Sequence, residues 1–156
     1  MKRILFVCTG NTCRSPMAEA MFRVKTAGQG YEVRSAGVAT FDGQSASLHA
    51  REVMAERGIE HVHQSSRLDA GLIDWSDVIL TMTTSHKHAI LTYFPTAAGK
   101  VHTLRDFVGV EGYGDIADPF GGTLEDYRRC AEEIEESLDR LSVRLLQERF
   151  RESRSE

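Results

Sequence analysis

The sequence predicts an α/β fold: a single domain built as a three-layer sandwich, with a central parallel sheet of four strands and helices on both faces. Short apolar segments alternate along the chain with segments whose apolar residues recur every three or four positions, as strands and helices do in such folds. The candidate strand at residues 78–82 is apolar apart from Thr81, which is typical of a strand covered on both faces. The length of 156 residues fits one domain.

The N-terminal half is predicted to alternate strand and helix twice. Residues 4–8 and 31–36 have the apolar or alternating pattern of strands. A helix is predicted over residues 16–25, because a proline such as Pro16 fits the first helical turn without losing a hydrogen bond. The apolar face of this helix consists of residues three or four positions apart: Met17, Ala20, Met21 and Val24. A second helix is predicted over residues 47–56.

The alternation continues in the second half of the chain. A short helix is predicted at residues 69–74, a strand at 78–82, a helix at 85–93 and a short strand at 101–104. Residues 105–123 contain five glycines and are predicted to form a long loop. Loops of this length in compact domains are usually functional.

A final helix is predicted after Thr123, because Thr123 and Asp126 have the spacing of a capping box. Its apolar stripe consists of residues at alternating steps of three and four: Leu124, Tyr127, Ala131, Ile134, Leu138, Leu141 and Leu145. Such a stripe can face a coiled-coil partner or the protein's own sheet, and its mixed side-chain sizes favour the sheet. The domain is predicted to span residues 1–150, with 151–156 as a frayed tail.

Charge and composition exclude several classes of function. The formal net charge of −4 gives the chain no general affinity for nucleic acid or anionic membranes. No apolar stretch in the sequence reaches the length of a membrane span. Three cysteines at irregular spacing do not make the disulfide framework of a secreted protein, so we expect a cytoplasmic protein with reduced thiols. We expect it to act as a monomer, without a cofactor and without nucleic acid or membrane as a partner.

The most informative segment joins the first strand to the first helix. A loop of this length can curl so that its backbone N–H groups converge on one point, and the N-terminus of the helix adds further donors for an anion. Gly10 permits the positive φ that tight curling requires, and Asn11 tolerates it. The segment therefore predicts a phosphate-binding loop formed by Cys8, Thr9, Gly10, Asn11, Thr12, Cys13, Arg14 and Ser15.

Four side chains are candidates for the chemistry and a fifth for substrate contact. Cys8, placed among N–H donors and beside Arg14, is predicted to be a thiolate nucleophile. Arg14 offers a planar fork for two phosphate oxygens, and Ser15 can donate a hydrogen bond to the thiolate. Asp118 at the end of the long loop is the candidate general acid, and Phe120 can form one wall of a substrate slot.

These motifs resemble the low-molecular-weight protein tyrosine phosphatase family over almost the whole chain. The similarity lies in Cys8-Thr9-Gly10-Asn11-Thr12-Cys13-Arg14-Ser15-Pro16, Ser35-Ala36-Gly37, His63-Gln64-Ser65-Ser66-Arg67 and Asp118-Pro119. The resemblance implies a phosphatase acting on phosphorylated proteins, with Cys8 as nucleophile, Arg14 as phosphate clamp and Asp118 as acid and later base. It also implies a set of residues that support the loop: Asn11, Ser15, Ser35 and His63.

Two departures from the commoner tyrosine-specific pattern bear on the substrate. Thr12 stands where such enzymes usually carry a branched apolar residue, and Gly121 follows Phe120 where a second aromatic residue is usual. Both features resemble the bacterial protein-arginine phosphatase branch of the family. The Thr12 hydroxyl can accept a hydrogen bond from a phosphoguanidine, which presents N–H groups beside the phosphorus. The sequence therefore favours phosphoarginine, with phosphotyrosine as the alternative and Thr12 and Phe120 as specificity residues.

Two further classes are weighed against a phosphatase. Thiol-linked arsenate reductases share this fold and loop but generally need additional downstream cysteines, whereas the remaining cysteine here, Cys130, falls in the predicted final helix. A non-catalytic phosphate-binding module is the other class, but it would need neither an intact nucleophile nor an intact acid. Both are less favoured than a phosphatase.

Two smaller predictions concern cysteine oxidation and metal binding. Cys13 lies in the same loop as Cys8, so a Cys8–Cys13 disulfide can form on oxidation and switch activity off reversibly; the alternative is that Cys13 only fills the loop. The pairs His61/His63 and His86/His88 are spaced by two, which points the side chains apart on a helix or a strand. No metal site is therefore predicted.

Overall fold

The computed structural model describes residues 2–110, 112 and 114–155. Its strands are β1 (Lys2–Cys8), β2 (Tyr31–Gly37), β3 (Val78–Thr81) and β4 (Val101–Thr103). Its helices are α1 (Arg14–Lys25), α2 (Leu48–Glu56), α3 (Ala70–Trp75), α4 (Thr84–Tyr93), α5 (Leu104–Phe107) and α6 (Leu124–Ser155), and a 3₁₀ turn covers Pro95–Ala97. These elements confirm the predicted alternation of strand and helix.

The four strands form one parallel sheet in the order β2-β1-β3-β4. In β1, Cys8 pairs in register with Gly37, so both residues lie at the edge formed by the carboxyl ends of the strands. Catalytic and ligand-binding groups of open α/β sheets lie beyond this edge. The fold therefore places Cys8 where such folds carry their sites.

The two faces of the sheet contribute to separate apolar clusters. Side chains of β1 alternate between them: Ile4 and Phe6 pack with α1, α2, α5 and α6, whereas Leu5 and Val7 pack with α3 and α4. Residues at all four positions are fully buried. This arrangement confirms the predicted three-layer sandwich with helices on both faces.

Helix α1 differs from its prediction at both ends. It begins at Arg14, two residues before Pro16, and Val24 is 60% exposed, so the prediction that Val24 lies on the buried face is wrong. The helix packs against β1, β2, α2 and α6, and every residue from Arg14 to Phe22 is buried. Burial ends at Phe22, so the apolar periodicity at Val24 has no packing partner.

The predicted last strand and the predicted loop after it are also revised. Leu104 does not belong to β4 but begins α5, a short helix within the stretch assigned to a loop. Thr103 caps this helix, since its hydroxyl accepts a hydrogen bond from the Asp106 amide at 3.2 Å. The sequence signal for α5 was a Thr-x-x-Asp capping pattern. Because this pattern begins within the predicted strand, the helix was not distinguished from it.

Helix α6 begins with the predicted capping box, in which Thr123 and Asp126 exchange hydrogen bonds between amide and side chain at 2.9 and 3.2 Å. Its stripe from Tyr127 to Leu145 is buried against α1, α2 and α5, which confirms packing within the chain. The helix continues through Ser155, past the predicted domain boundary at residue 150, and residue 156 lies outside the described residues. Within the described part of the chain, no helix combines the length and apolar character that crossing a membrane requires.

Candidate active site

The loop between β1 and α1 curls around the end of the sheet. Cys8, the last residue of β1, is 2% exposed. Helix α1 begins at Arg14, and no side chain caps its N-terminus, so the amide groups of its first turn remain directed at the loop rather than at a capping hydroxyl. This is the arrangement that favours an anion at a helix N-terminus.

Asn11 holds the loop in shape from its buried side. Its φ of 54° is the left-handed conformation that the sequence analysis expected Asn11 to tolerate, and its side chain is fully buried. Gly10, expected to supply the positive φ of the curled loop, does not have one. The amide nitrogen donates to Ser15 Oγ at 2.8 Å and to Ser35 Oγ at 2.9 Å, and the amide oxygen accepts from the Ser66 amide at 2.8 Å. The backbone oxygen of Asn11 lies 2.6 Å from His63 Nε2. The structure thus brings together all the residues that were predicted to support the loop.

Gly37 is required by the close approach of the loop to β2. A β-carbon at residue 37 would lie 2.6 Å from the Thr9 carbonyl oxygen and 3.0 Å from the Asn11 amide nitrogen. The backbone beyond Gly37 also bonds the loop directly, because the amides of Val38 and Ala39 donate to the carbonyls of Cys8 and Thr9 at 3.0 Å. The loop can adopt this position only beside a residue without a side chain.

His86, considered from the sequence only as a metal ligand, is buried and supports the loop from the other side. Its Nε2 lies 2.8 Å from Thr9 Oγ1. Burial, followed by the nearby charge of Arg14, lowers the pKa of His86 to about 4. The imidazole is therefore neutral at neutral pH and adds no charge to the site.

Arg14 is 3% exposed and is oriented by the loop that carries Asp118. Its Nη1 donates to the Ile116 carbonyl oxygen at 2.8 Å, and its Nη2 lies 3.5 Å from Asp118 Oδ2. Its Nε is buried and makes no hydrogen bond to any of the described residues. Buried N–H groups normally have a partner, so this donor is suited to an oxyanion bound beside Cys8.

A cavity of about 700 Å³ opens beside these groups. The Asp118 side chain is 50% exposed, and one of its oxygens accepts from the Phe120 amide at 3.0 Å. Phe120 and Phe41 are both 78% exposed on the rim. The cavity is lined by the predicted residues Cys8, Thr9, Gly10, Thr12, Cys13, Arg14, Asp118 and Phe120, together with Phe41, Gln44, Arg67 and residues 38–40.

The two other cysteines differ in their surroundings. Cys13 Sγ lies 3.3 Å from the Tyr127 hydroxyl and 3.8 Å from Thr12 Oγ1. Cys130 is 5% exposed, its thiol donates to the Ala117 carbonyl at 3.8 Å, and burial raises its pKa to about 12. Cys130 is therefore an unreactive thiol of the core.

Sequence analysis missed several residues that shape the site. Phe41, Gln44 and Arg67 line the cavity, and Tyr127 contacts Cys13 from α6. Phe41 and Gln44 follow the carboxyl end of β2, the neighbour of β1, so parallel-sheet topology together with an exposed aromatic residue was the available signal. Tyr127 had no such signal, because its contact spans 114 positions of sequence.

The expectation that His61 and His63 point apart is wrong. Their rings stack with centroids 5.5 Å apart and an interplanar angle of 28°. Residues 59–66 have no regular secondary structure, so the alternation expected for a strand or a helix does not apply to them. Both rings face the buried carboxylate of Glu19.

Comparison with known proteins agrees with this geometry. Residues 3–152 match the family model of low molecular weight phosphotyrosine protein phosphatases. The protein-arginine-phosphatase of Geobacillus stearothermophilus is 52% identical over 144 residues, which cover 92% of this chain and 95% of that protein. The structure of the YwlE arginine phosphatase from the same organism superposes with a TM-score of 0.91 at 50% identity, covering 97% of each chain.

A further solved structure that is similar to this chain contains a phosphorylated active site. It is a cysteine-to-serine mutant of the YwlE arginine phosphatase with a phosphorylated active-site serine, and it superposes with a TM-score of 0.90 at 42% identity. The superposition covers 94% of this chain and 97% of the chain of that mutant. With the family model matching nearly all of its length, the chain belongs to the low molecular weight phosphotyrosine protein phosphatase family.

Proposed function

We propose that this protein is a protein-arginine phosphatase that hydrolyses phosphoarginine residues of protein substrates through a cysteinyl-phosphate intermediate. The observation that carries the proposal is the buried Nε of Arg14, a donor without a partner among the described residues, in a cavity that also contains Cys8 and Asp118. For a phosphoryl group bound between these residues, Cys8 would supply the nucleophile and Asp118 would supply a proton to the leaving group.

In the first step, the Cys8 thiolate attacks phosphorus in line with the leaving nitrogen. An S–P bond forms as the P–N bond breaks, and Asp118 transfers its proton to the departing guanidine nitrogen. The loop amides and Arg14 hold the three equatorial oxygens, which carry most of the charge in the transition state. The helix N-terminus, which has no side-chain cap, supports the same charge.

In the second step, Asp118 acts as a base. It takes a proton from water as the water oxygen bonds to phosphorus and the S–P bond breaks. Ser15 Oγ, 2.9 Å from Cys8 Sγ, donates a hydrogen bond to the departing thiolate. The products are inorganic phosphate and the restored enzyme, and each step uses only groups of this chain and water.

Thr12 supports the choice of phosphoarginine. It lines the cavity with Cys8, and its hydroxyl has only a weak contact of 3.8 Å with Cys13 Sγ. The hydroxyl is therefore available to accept an N–H of the phosphoguanidine. An isoleucine at residue 12 would leave that N–H desolvated and unpaired, at a cost of about 1–3 kcal/mol.

Phosphotyrosine is the second candidate substrate. Phe41 and Phe120 stand exposed on the cavity rim, and two aromatic walls suit a phenyl ring as well as they suit the planar guanidine group. Arsenate reduction is opposed by Cys130, whose buried thiol does not line the cavity of Cys8. A monomeric, cytoplasmic enzyme remains our proposal for the state in which the protein acts.

The test compares kcat/KM on phosphoarginine and phosphotyrosine peptides of one sequence, with Cys8→Ser as the inactive blank. We expect phosphoarginine to be preferred and Thr12→Ile to shift the ratio toward phosphotyrosine by about ten- to a hundredfold. Thr92→Ile is the matched control, because Thr92 lies exposed on α4 and its hydroxyl contacts only the local His88 carbonyl. A preference of the unmodified chain for phosphotyrosine would leave the cysteine mechanism intact and overturn the substrate.

A further inference from the structure

Glu19, His61 and His63 form a cluster behind the phosphate-binding loop, outside the cavity of Cys8. One ligand atom from each lies within 4.8 Å of the other two. Glu19 Oε2 is 3.2 Å from His61 Nε2 and 3.6 Å from His63 Nδ1. The side chains of Glu19, His61 and His63 are 8%, 13% and 4% exposed. The cluster therefore concentrates a carboxylate and two imidazoles in a nearly dry place.

The hydrogen bond of His63 to the loop determines what its other nitrogen presents. Since the partner of Nε2 is the carbonyl oxygen of Asn11, at 2.6 Å, Nε2 must carry the proton. In the neutral ring Nδ1 is then an unprotonated acceptor, and it faces the Glu19 carboxylate, which also only accepts. Two acceptors facing each other in a buried site require a cation between them: a second ring proton or a metal ion.

His61 places a second nitrogen beside the same carboxylate oxygen. Its Nε2 is buried and makes no hydrogen bond of acceptable geometry within the described residues, although it lies 3.2 Å from Glu19 Oε2. Two imidazole nitrogens therefore converge on one carboxylate oxygen. Imidazole nitrogens with a single carboxylate oxygen are typical ligands of Zn²⁺, whereas Mg²⁺ and Ca²⁺ prefer oxygen ligands throughout.

We propose that Glu19, His61 and His63 form a Zn²⁺ site in which water supplies the fourth ligand. Zinc bonds of about 2.0–2.1 Å in a tetrahedron separate neighbouring ligand atoms by about 3.4 Å. The distances of 3.2 and 3.6 Å from Glu19 Oε2 to the two nitrogens match this edge. A cavity of about 540 Å³, lined in part by His61 and His63, gives room for the water.

The groups behind the three ligands fit the same site. Ligating histidines usually donate their other N–H to a carbonyl, and ligating carboxylates are themselves hydrogen-bonded. His63 has this relationship with Asn11, and Glu19 Oε1 pairs with Arg23 at 2.9 Å, which leaves Oε2 for the ion. Oε2 also accepts from Ser35 Oγ at 3.1 Å. Glu19 and His63 are therefore oriented before an ion binds.

The site connects to the catalytic loop through two short contacts. His63 bonds the carbonyl of Asn11, and Glu19 reaches the side chain of Asn11 through Ser35. An ion that fixes His63 and Glu19 therefore fixes the residue that sets the curvature of the loop. Zinc binding at this place stabilises the folded protein, because it binds the native arrangement and not the unfolded chain.

The test is isothermal titration of Zn²⁺ into the full chain carrying Cys8→Ser. The substitution removes the sulfur of residue 8, which could otherwise compete for Zn²⁺. We expect one ion per chain and a rise in Tm on addition of Zn²⁺. His61→Ala, which leaves the loop contact of His63 intact, should weaken Zn²⁺ binding by more than the roughly 10–100-fold that loss of an outer-shell partner costs. His88→Ala, at an exposed histidine of α4, should bind as the parent does.

Cobalt supplies a readout that does not depend on any substituted histidine. Co²⁺ at this site should give visible d–d bands of a tetrahedral nitrogen and oxygen complex, without sulfur-to-cobalt charge transfer. Equal Zn²⁺ affinity of parent and His61→Ala, or a sulfur charge-transfer band, would overturn the proposal. So would ¹⁵N spectra in which both ring nitrogens of His63 stay protonated at saturating Zn²⁺, because a proton would then be the cation between the two acceptors.

Discussion

The hydroxyl oxygen of Ser15 lies 2.9 Å from Cys8 Sγ and 2.8 Å from the side-chain nitrogen of Asn11. Since the side-chain nitrogen of Asn11 can only donate, Ser15 Oγ accepts from it and keeps its own proton for another partner. Cys8 Sγ is the nearer of two acceptors, because the Ala36 carbonyl lies 3.5 Å away. The direction of this hydrogen bond is therefore set by the loop and favours negative charge on sulfur.

Replacing Ser15 with alanine should slow the step in which sulfur leaves phosphorus. A hydrogen bond to a charged group contributes about 1.5–3 kcal/mol, which corresponds to a decrease in kcat of about ten- to a hundredfold. Single-turnover kinetics, which separate phosphorylation of Cys8 from hydrolysis of the cysteinyl phosphate, would measure this decrease. Ser142→Ala on the surface of α6 is the control, and an unchanged kcat in Ser15→Ala would contradict the assignment.

Replacing Asp118 with asparagine should remove both the acid and the base while keeping the contact with the Phe120 amide. Loss of a general acid or base typically costs about 10²–10⁴-fold in kcat. Rapid-quench measurements should show phosphoenzyme on Cys8 when the leaving group needs no proton. Asp139→Asn, at a surface ion pair with Lys25, should keep full activity. Equal losses in the two variants would refute the role of Asp118.

Replacing Gly37 with alanine should displace the loop. The added β-carbon would meet the Thr9 carbonyl oxygen at 2.6 Å, and a backbone atom cannot rotate away. We expect a loss of about 1–3 kcal/mol in the free energy of unfolding together with a fall in kcat. Gly71→Ala in α3, where the nearest atom is a side-chain oxygen at 3.3 Å, is the matched control measured by denaturant unfolding. Wild-type stability and activity in Gly37→Ala would show that the loop tolerates the shift.

Replacing His86 with glutamine should change how stability depends on pH. The pKa of His86 is lowered to about 4 by burial and by Arg14, so the unfolded chain binds a proton that the folded chain does not between about pH 6.5 and 4. Stability attributable to His86 is therefore present above about pH 6.5 and is lost as the pH falls toward 4. The glutamine variant should show a flatter Tm profile over this window, whereas exposed His88→Gln should follow the parent. Parallel profiles of His86→Gln and parent would exclude this coupling.

Mild peroxide should link Cys8 to Cys13, since both thiols lie in one loop and line one cavity. Peptide mass mapping should find this disulfide and its reversal by reductant, while Cys130 stays reduced because burial raises its pKa to about 12. Cys13→Ala should instead accumulate sulfinic and sulfonic acid at Cys8. Over-oxidation of Cys8 in the unmodified chain, without the link, would contradict the redox role.

Local sequence patterns were sufficient to predict the sheet, the layers and the loop between β1 and α1. The periodicity of strand and helix is a property of neighbouring residues, and the loop from Cys8 to Ser15 is contiguous. Helix α5 was missed because a short helix directly after a strand gives no separate periodic signal. The start of α1 was placed two residues late because Pro16 was taken as its first residue. The exposure of Val24 could not be predicted, because it depends on how far the partners of α1 extend.

The rest of the site depends on contacts between residues distant in the sequence. The contact of His86 with Thr9 spans 77 positions, and the clearance around Gly37 depends on the path of another loop. The approach of His61 and His63 to Glu19 required an irregular backbone that no spacing rule describes. The support that Asn11 gives to the loop was predictable in part, because its contact with Ser15 spans only four positions, whereas the placement of the positive φ at Asn11 rather than at Gly10 was not predicted.

The hydrogen bond from Arg14 to the carbonyl oxygen of Ile116 joins residues that are synthesised at different times. Cys8 and Arg14, the proposed nucleophile and phosphate clamp, are synthesised before the partner that orients Arg14, which is made 102 positions later. In the nascent chain, Cys8 is therefore present long before the guanidinium of Arg14 is held in place. Because Asp118, the proposed acid, follows Ile116 by two residues, the proposed proton donor and the group that orients Arg14 are synthesised almost together, late in the chain.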